Sequence, residues 1–303
     1  MPGDQADVSQ AVTRALAGAV DLHYHSAPSP FPRRLSAMDA VRHYADEGFG
    51  GVVLKSHHHS TVMELIALRD AFPEGLPIPA FGGVALNGAV GGLNPRVVEL
   101  ALGMGGRIVW FPTIAGRAHQ EWERREAHGF PSSSVRLSAE APIAVLDGGR
   151  LRAEAVEIVE LVASADAILA SGHILPEEVQ ALFSMARERG VRKLLLNHPD
   201  FILELDDGAI VALAELGAFV EHILIRYDDR SPEAQPIDRL VSWIRRIGAE
   251  RTVISSDLGQ RTNPLPGDSF RRVVGQLLEC GVSEAELRLM LRTNPARLVG
   301  LEP

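Results

Sequence analysis

The sequence predicts a (β/α)8 TIM barrel, and three observations carry that prediction. Short β-branched runs ending in polar residues alternate with amphipathic segments of about ten to fifteen residues, and eight such pairs in series imply a parallel sheet closed on itself. A length of 303 residues is long for one ordinary domain but suits one barrel, so residues 1–303 read as a single domain. With 46% apolar and 23% charged residues the chain has material for a globular core, which excludes disordered, collagen-like and coiled-coil classes.

In chain order the eight strands are expected at residues 19–25, 51–56, 80–86, 107–113, 167–173, 193–198, 218–224 and 252–257. Ser36 can cap a helix that carries Met38, Val41 and Tyr44 on one face and stops at Gly48. A helix follows over 60–68, and Asn94-Pro95 opens another that ends near Gly103. After a helix near 153–162, Pro176 starts one with Val179, Leu182, Phe183 and Ala186 as its buried stripe and Gly190 at its close. Ile237, Leu240, Val241 and Ile244 repeat the pattern before Gly248. The rhythm breaks once, over 114–150, which is too long for an ordinary loop. Alternation at Val135, Leu137, Ile143 and Val145 ahead of Asp147-Gly148-Gly149 predicts a β excursion there, inserted after strand four over the barrel mouth.

Charge and cysteine content remove several function classes. A formal net charge of −9 has the wrong sign for nucleic acid or for an anionic membrane. The single cysteine, Cys280, excludes an intrachain disulfide and a Cys-rich zinc site, so any metal must sit on histidines and carboxylates. The first residues, with Asp4 and Asp7, lack the pattern of a secretory signal. The uncharged run 75–95 contains Pro77, Pro79, six glycines and two asparagines, so it reads as a strand between loops, not a membrane span. A cytoplasmic protein acting on a small molecule is the expectation, and a homo-oligomer is compatible with it.

The histidines fall where such a barrel builds its site. His23 and His25 close the first strand, His57 and His58 follow the second, His173 closes the fifth, His198 the sixth, and His222 lies within the seventh. The C-terminal strand ends ring one site, so these side chains can converge. Residues i and i+2 of a strand share a face, which lets His23 and His25 grip one cation. Lys55 shares the parity of His57 and has three readings: an ion-paired ammonium, a clamp for an anionic substrate, or a carboxylated metal ligand. The clamp is preferred at a barrel mouth. His57, His58 and His59 cannot all face inward, leaving His57 and His58 as candidates for metal or substrate. Glu221 and His222 point to opposite sides of strand seven, so one at most enters the barrel, as a partner of a ligand. Asp21, Asn87 and the proline-stiffened loop with Arg33 and Arg34 add weaker candidates, the arginines as anion clamps or as plain solvated residues. His43 reads as a helix-surface histidine, and His119 and His128 as residues of the insertion. Gly82-Gly83 and Gly91-Gly92 do not form a phosphate loop and read as sites of tight backbone approach.

Asp21-Leu22-His23-Tyr24-His25, Ser-Gly-His173, Asn-His198-Pro and Ser-Ser-Asp257-Leu-Gly, with Thr293-Asn294-Pro295-Ala296-Arg297-Leu298 near the C-terminal end, resemble the amidohydrolase superfamily of metal-dependent barrel hydrolases. The resemblance covers essentially the whole chain. It implies that His23, His25, His173, His198 and Asp257 are metal ligands, that Asp257 is also the catalytic proton acceptor, and that 293–298 forms the closing helix. One departure stands out: dinuclear members bridge their metals with a carboxylated lysine or a glutamate from strand three or four, whereas strand four here ends Trp110-Phe111-Pro112-Thr113. The chain therefore reads as a separate branch.

The expected activity is hydrolysis of an amide or cyclic amide C–N bond, using one or two divalent cations, zinc first, with Mn, Fe, Co and Ni suited to the same N/O ligands. Phosphoester or lactone hydrolysis, a metal-dependent decarboxylase and a non-catalytic metal- or ligand-binding barrel are the alternatives. Asp257 discriminates among them, because a binding protein needs no base beside a ligated water.

Overall fold

The computed structural model describes residues 2–302 apart from 73, 126–132, 139, 204 and 233. Its strands are β1 (Val20–His25), β2 (Gly51–Lys55), β3 (Ala80–Phe81), β4 (Gly83–Ala85), β5 (Ile108–Trp110), β6 (Leu146–Asp147), β7 (Arg150–Leu151), β8 (Ile168–Ala170), β9 (Lys193–Asn197), β10 (Phe219–Ile223) and β11 (Thr252–Ser255). One parallel arc runs β1-β2-β3 and the other β4-β5-β8-β9-β10-β11. Two junctions join them into the barrel that the sequence predicts. β3 and β4 are halves of one strand, the first paired with β2 and the second with β5. The seam between the last and first strands lies just past β11, where Asp257 N donates to His23 O at 2.8 Å and His25 N to Leu258 O at 2.9 Å. Every predicted strand span contains its observed strand.

The third barrel strand breaks at Gly82 because its neighbours crowd it. A Cβ on Gly83 would stand 2.0 Å from Ile108 O, and one on Gly82 2.8 Å from Thr61 Oγ1. The Thr61 hydroxyl fills the gap, accepting from Gly83 N at 3.1 Å and donating to Leu54 O at 2.8 Å. The close approach expected of this glycine pair is thus a property of a strand.

The helices are α1 (Pro2–Leu16), α2 (Ala37–Asp46), α3 (Thr61–Ala71), α4 (Pro95–Gly103), α5 (Arg117–Arg125), α6 (Ala153–Ser164), α7 (Pro176–Glu188), α8 (Asp207–Glu215), α9 (Ile237–Ile247), α10 (Pro266–Glu279), α11 (Glu284–Arg288) and α12 (Asn294–Val299). Ser36, Ser60 and Asn94 cap α2, α3 and α4 through their side chains, and Pro176 opens α7, all as predicted. On α2 the buried face is Ala37, Ala40, Val41 and Tyr44, with Met38 only half-buried. No helix among the described residues is long and apolar enough to cross a membrane.

Inside the barrel, Leu22, Val53, Trp110, Ile168, Leu195 and Val253 fill the lower half, and Ala296, Leu298 and Val299 of α12 close the bottom. Burying those apolar side chains supplies the core, and it leaves only the C-terminal mouth for polar groups. The 114–150 segment differs from expectation. It begins with a helix, α5, and its β content among the described residues is the hairpin β6-β7, turned by Gly148 and Gly149 at φ 54° and 78°, with an isolated parallel bridge between Gly116 and Ile143. Val135 and Leu137 lie outside any strand and are exposed. The segment leans on loops at the mouth, with Ser134 N donating to Pro30 O at 2.7 Å and Gly88 N to Glu140 Oε2 at 3.0 Å.

Candidate metal centre

β1 is bulged: its register with β2 shifts between Asp21 and Tyr24. Leu22 therefore faces the barrel interior, Tyr24 turns into the outer core, and His23 and His25 both look inward. Asp21, of the same parity, does not follow them. Its carboxylate accepts from His23 N at 2.9 Å, from Ser256 N at 3.0 Å and from the Tyr44 hydroxyl, which ties β1 to the chain after β11. Burial outweighs those hydrogen bonds and raises its pKa to about 6. The extra residue of the bulge is what re-aims it.

Asp257 is the hub of the mouth. Its Oδ1 lies 3.1 Å from Nε2 of both His23 and His25, and its Oδ2 3.9 Å from His198 Nε2. Donor atoms of His23, His198 and Asp257 all fall within 4.8 Å of one another, a group able to hold a metal ion. His173 Nε2 is 3.2 Å from His198 Nε2. Two ligand atoms on one zinc at tetrahedral angle stand about 3.3 Å apart, so these are spacings of atoms converging on a cation. Of the five ligands implied by resemblance, three form the tight group; His25 joins through Asp257 and His173 through His198. His198 and Asp257 hold φ of 22° and 49°, left-handed values that are strained for such residues and that recur at functional sites.

The protonation states suit a cation. Burial keeps His25, His57 and His173 well below the usual imidazole range and brings His198 down to about 4, so each offers a lone pair. His23 differs. Burial opposes its charge, but Asp257 and then Glu221, whose Oε2 is 3.2 Å from Nδ1, raise it to about 9. Burial also pushes Asp257 upward, yet His23 and His25 hold its carboxyl well below the ordinary range. Glu221 accepts from Asn197 Nδ2 at 2.7 Å as well, so the carboxylate that orients His23 is itself oriented. Its neighbour His222 turns outward, with its ring centroid 6.1 Å from that of Trp243 and Nδ1 3.6 Å from Asp200, away from the site.

Lys55 is buried, its Nζ 3.0 Å from His23 Nε2, and burial lowers its ammonium to about 8. His57 lies against His25 with ring centroids 4.7 Å apart, while His58 is half-buried beside Phe31. His59 turns away to Ser56 Oγ and Glu64. Asn87 is fully buried and braces the site from behind, donating to His57 O at 2.9 Å and to Thr113 Oγ1 at 2.7 Å, so it does not reach substrate. Arg33 is half-buried, acts electrostatically on Asp257 and His25, and has a buried Nε without an acceptor. Arg34 is exposed and donates to Asn263 O at 2.8 Å, so of the two arginines only Arg33 faces the site.

Three residues that sequence reasoning passed over belong here: Thr113, Asn197 and His119. Thr113 Oγ1 meets His57 Nδ1 at 2.9 Å, and Asn197 Oδ1 accepts from Gly172 N at 3.0 Å. His119, expected only as a residue of the insertion, is fully buried against His173. Its signal was the apolar face that Ala118 and Trp122 make with it on one side of a charged stretch. His43 also departs from expectation, half-buried with Nε2 accepting from Gly267 N at 3.2 Å, and His128 lies outside the described residues.

Comparison with known proteins bears on the fold. Residues 18–221 match the model of a family described as Family of unknown function (DUF6282), and residues 171–299 match the Phosphotriesterase family. No curated protein sequence matches the chain. Among solved structures it is similar to a probable dipeptidase from Pseudomonas aeruginosa (TM-score 0.61, 13% identity, 97% of this chain and 98% of that one). A lactonase from Listeria monocytogenes aligns with TM-score 0.60 and 14% identity over 96% and 97% of the two chains. A probable 2-pyrone-4,6-dicarboxylic acid hydrolase from Acinetobacter baumannii, with citric acid bound, gives TM-score 0.59 and 12% identity over 94% and 100%. The amidohydrolase-type barrel read from the sequence is the fold these neighbours share.

Proposed function

The chain belongs to the DUF6282 family, and we propose that it is a metal-dependent hydrolase of a small molecule, cleaving an amide or cyclic amide C–N bond. The observation that carries this reading is the convergence of His23, His198 and Asp257 at the ends of three barrel strands, flanked by His25 and His173. The donor set fits a divalent cation, zinc first: imidazoles and one ionised carboxylate at ligand spacing, with His23 giving up its proton when a cation binds. Such a cation would supply Lewis-acid polarisation of the scissile carbonyl and would acidify a water beside it.

The chain's own residues do the rest. Glu221 holds His23 by Nδ1 and leaves Nε2 toward the cation side. Asp257, ionised, takes the proton of water as its oxygen bonds to the carbonyl carbon, and returns it to the nitrogen as the C–N bond breaks. Lys55 and Arg33 face the same space and favour a substrate that carries an anionic group. Beside His58 a cleft of about 460 Å³, bordered by Phe31, Ile114, Gln120 and Leu137, is sized for the rest of a small molecule.

A second reading, ester or lactone hydrolysis, is favoured by one observation: the segment matching the Phosphotriesterase family contains His173, His198 and Asp257. The test is elemental analysis of protein purified without chelator, followed by a substrate panel of N-acyl amino acids, cyclic amides, lactones and phosphoesters. At least one transition metal per chain with turnover of amides is the expected result. Less than about 0.2 equivalents after reconstitution would sink the metal reading, since a multi-ligand site binds tightly. Turnover confined to lactones or phosphoesters would replace the amide with the ester.

A further inference from the structure

His119 is a buried titratable group that the reading above leaves unused. It projects from α5, outside the barrel strands, yet its Nδ1 stands 2.9 Å from Nδ1 of His173. The two ring planes differ by only 13°, with centroids 5.0 Å apart. Parallel rings stacked face to face cannot bring atoms to 2.9 Å, so the imidazoles meet edge to edge in a hydrogen bond. The fold is built to allow this meeting. A Cβ on Gly116, at the start of α5, would stand 2.3 Å from the carbonyl oxygen of His173, and His173 N donates to Pro112 O at 2.8 Å.

Both rings are buried, and two neutral imidazoles joined nitrogen to nitrogen at 2.9 Å have one donor and one acceptor, which leaves two arrangements. In the first, His173 donates from Nδ1, its Nε2 is bare toward His198, and His119 carries its proton on Nε2. In the second, His119 donates and its own Nε2 is bare. Glu123 Oε1 lies 3.8 Å from that Nε2, and a carboxylate favours an N–H over a lone pair facing it. The first arrangement is therefore the stable one.

We propose that His119 is a positioning residue: it accepts the Nδ1 proton of His173, fixing the tautomer whose Nε2 stands bare beside His198. This puts a carboxylate–histidine–histidine chain, Glu123 to His119 to His173, behind one edge of the metal centre, and recruits the 114–150 segment into it. The consequence for cation binding rests on the metal reading above; the hydrogen bond itself does not.

The deciding experiment is a long-range 1H–15N correlation on full-length, metal-stripped protein labelled at histidine. A His173 with protonated Nδ1 and bare Nε2 is expected, and the opposite tautomer would overturn the proposal. Cobalt(II) titration of variants then tests the role. His119→Phe keeps the volume but loses the acceptor, and about a 10–100-fold weaker Kd is expected, as for other groups behind metal-bound histidines. His119→Asn, whose Oδ1 replaces the lost acceptor, should recover most of it. A His119→Phe protein that binds cobalt(II) as tightly as the parent, with the same absorption spectrum, would also overturn the proposal. Should His119→Phe fail to fold, the tautomer spectrum decides alone. A parent protein that takes up no metal would defeat the metal reading while the spectrum still decides the histidine pair.

Discussion

Lys55 is the residue whose chemistry most depends on its neighbours. With Nζ 3.0 Å from His23 Nε2 its charge competes with that of the imidazole, and burial lowers it to about 8. If it is the anion clamp, Lys55→Ala should raise KM severalfold and leave metal content unchanged, because the cation is held elsewhere. Loss of a full metal equivalent, with the circular dichroism spectrum intact, would assign it as a carboxylated bridge instead. Asp257→Asn keeps size and removes basicity, so turnover should fall by at least about 10²–10⁴ while the fold persists. Near-parental activity on a substrate found by the panel would refute its role. At this scale the strand-end histidines were legible because strand order and position agreed. Asp21 was legible only as a weak candidate because a bulge defeats the period-of-two rule that would fix where it points, and His119 was missed because a helix from a covering segment obeys no strand-end rule.

At the scale of elements, the third strand shows how sequence reports packing. Gly82-Gly83 was legible as a close approach but not as the break between β3 and β4, since the crowding comes from Ile108 and Thr61, distant in the chain. Gly83→Ala must displace the β5 backbone, and overpacking of this kind costs about 1–3 kcal/mol. A clear fall in the denaturation midpoint without change in m-value is expected, and a parental midpoint would show the crowding to be relieved elsewhere. The barrel strands themselves were readable from β-branched runs bounded by polar ends. Helix α5 was not: six of its nine residues are Arg, Gln or Glu, and only Ala118 and His119 are buried. Such a helix is held by tertiary contacts, His119 to His173 and Trp122 to Phe201 among them, which no local pattern announces.

For the whole molecule, metal and stability are linked. A cation that binds the closed barrel alone stabilises it by about 2.7 kcal/mol at a hundredfold excess over Kd. Thermal unfolding with and without chelator should therefore differ by several degrees, and identical curves would place the cation outside the folding equilibrium. The barrel was legible as a whole because its repeat runs the length of the chain, whereas the seam was not, being made of backbone bonds beyond the last strand. That seam fixes an order of events in the cell. His23 and His25 emerge from the ribosome long before Asp257, which closes against them only after β11 has formed. The proposed cation site is thus tied to closure of the barrel: without the eighth barrel strand the histidines lack the carboxylate that joins them, and the group able to hold a metal exists only with β11 in place.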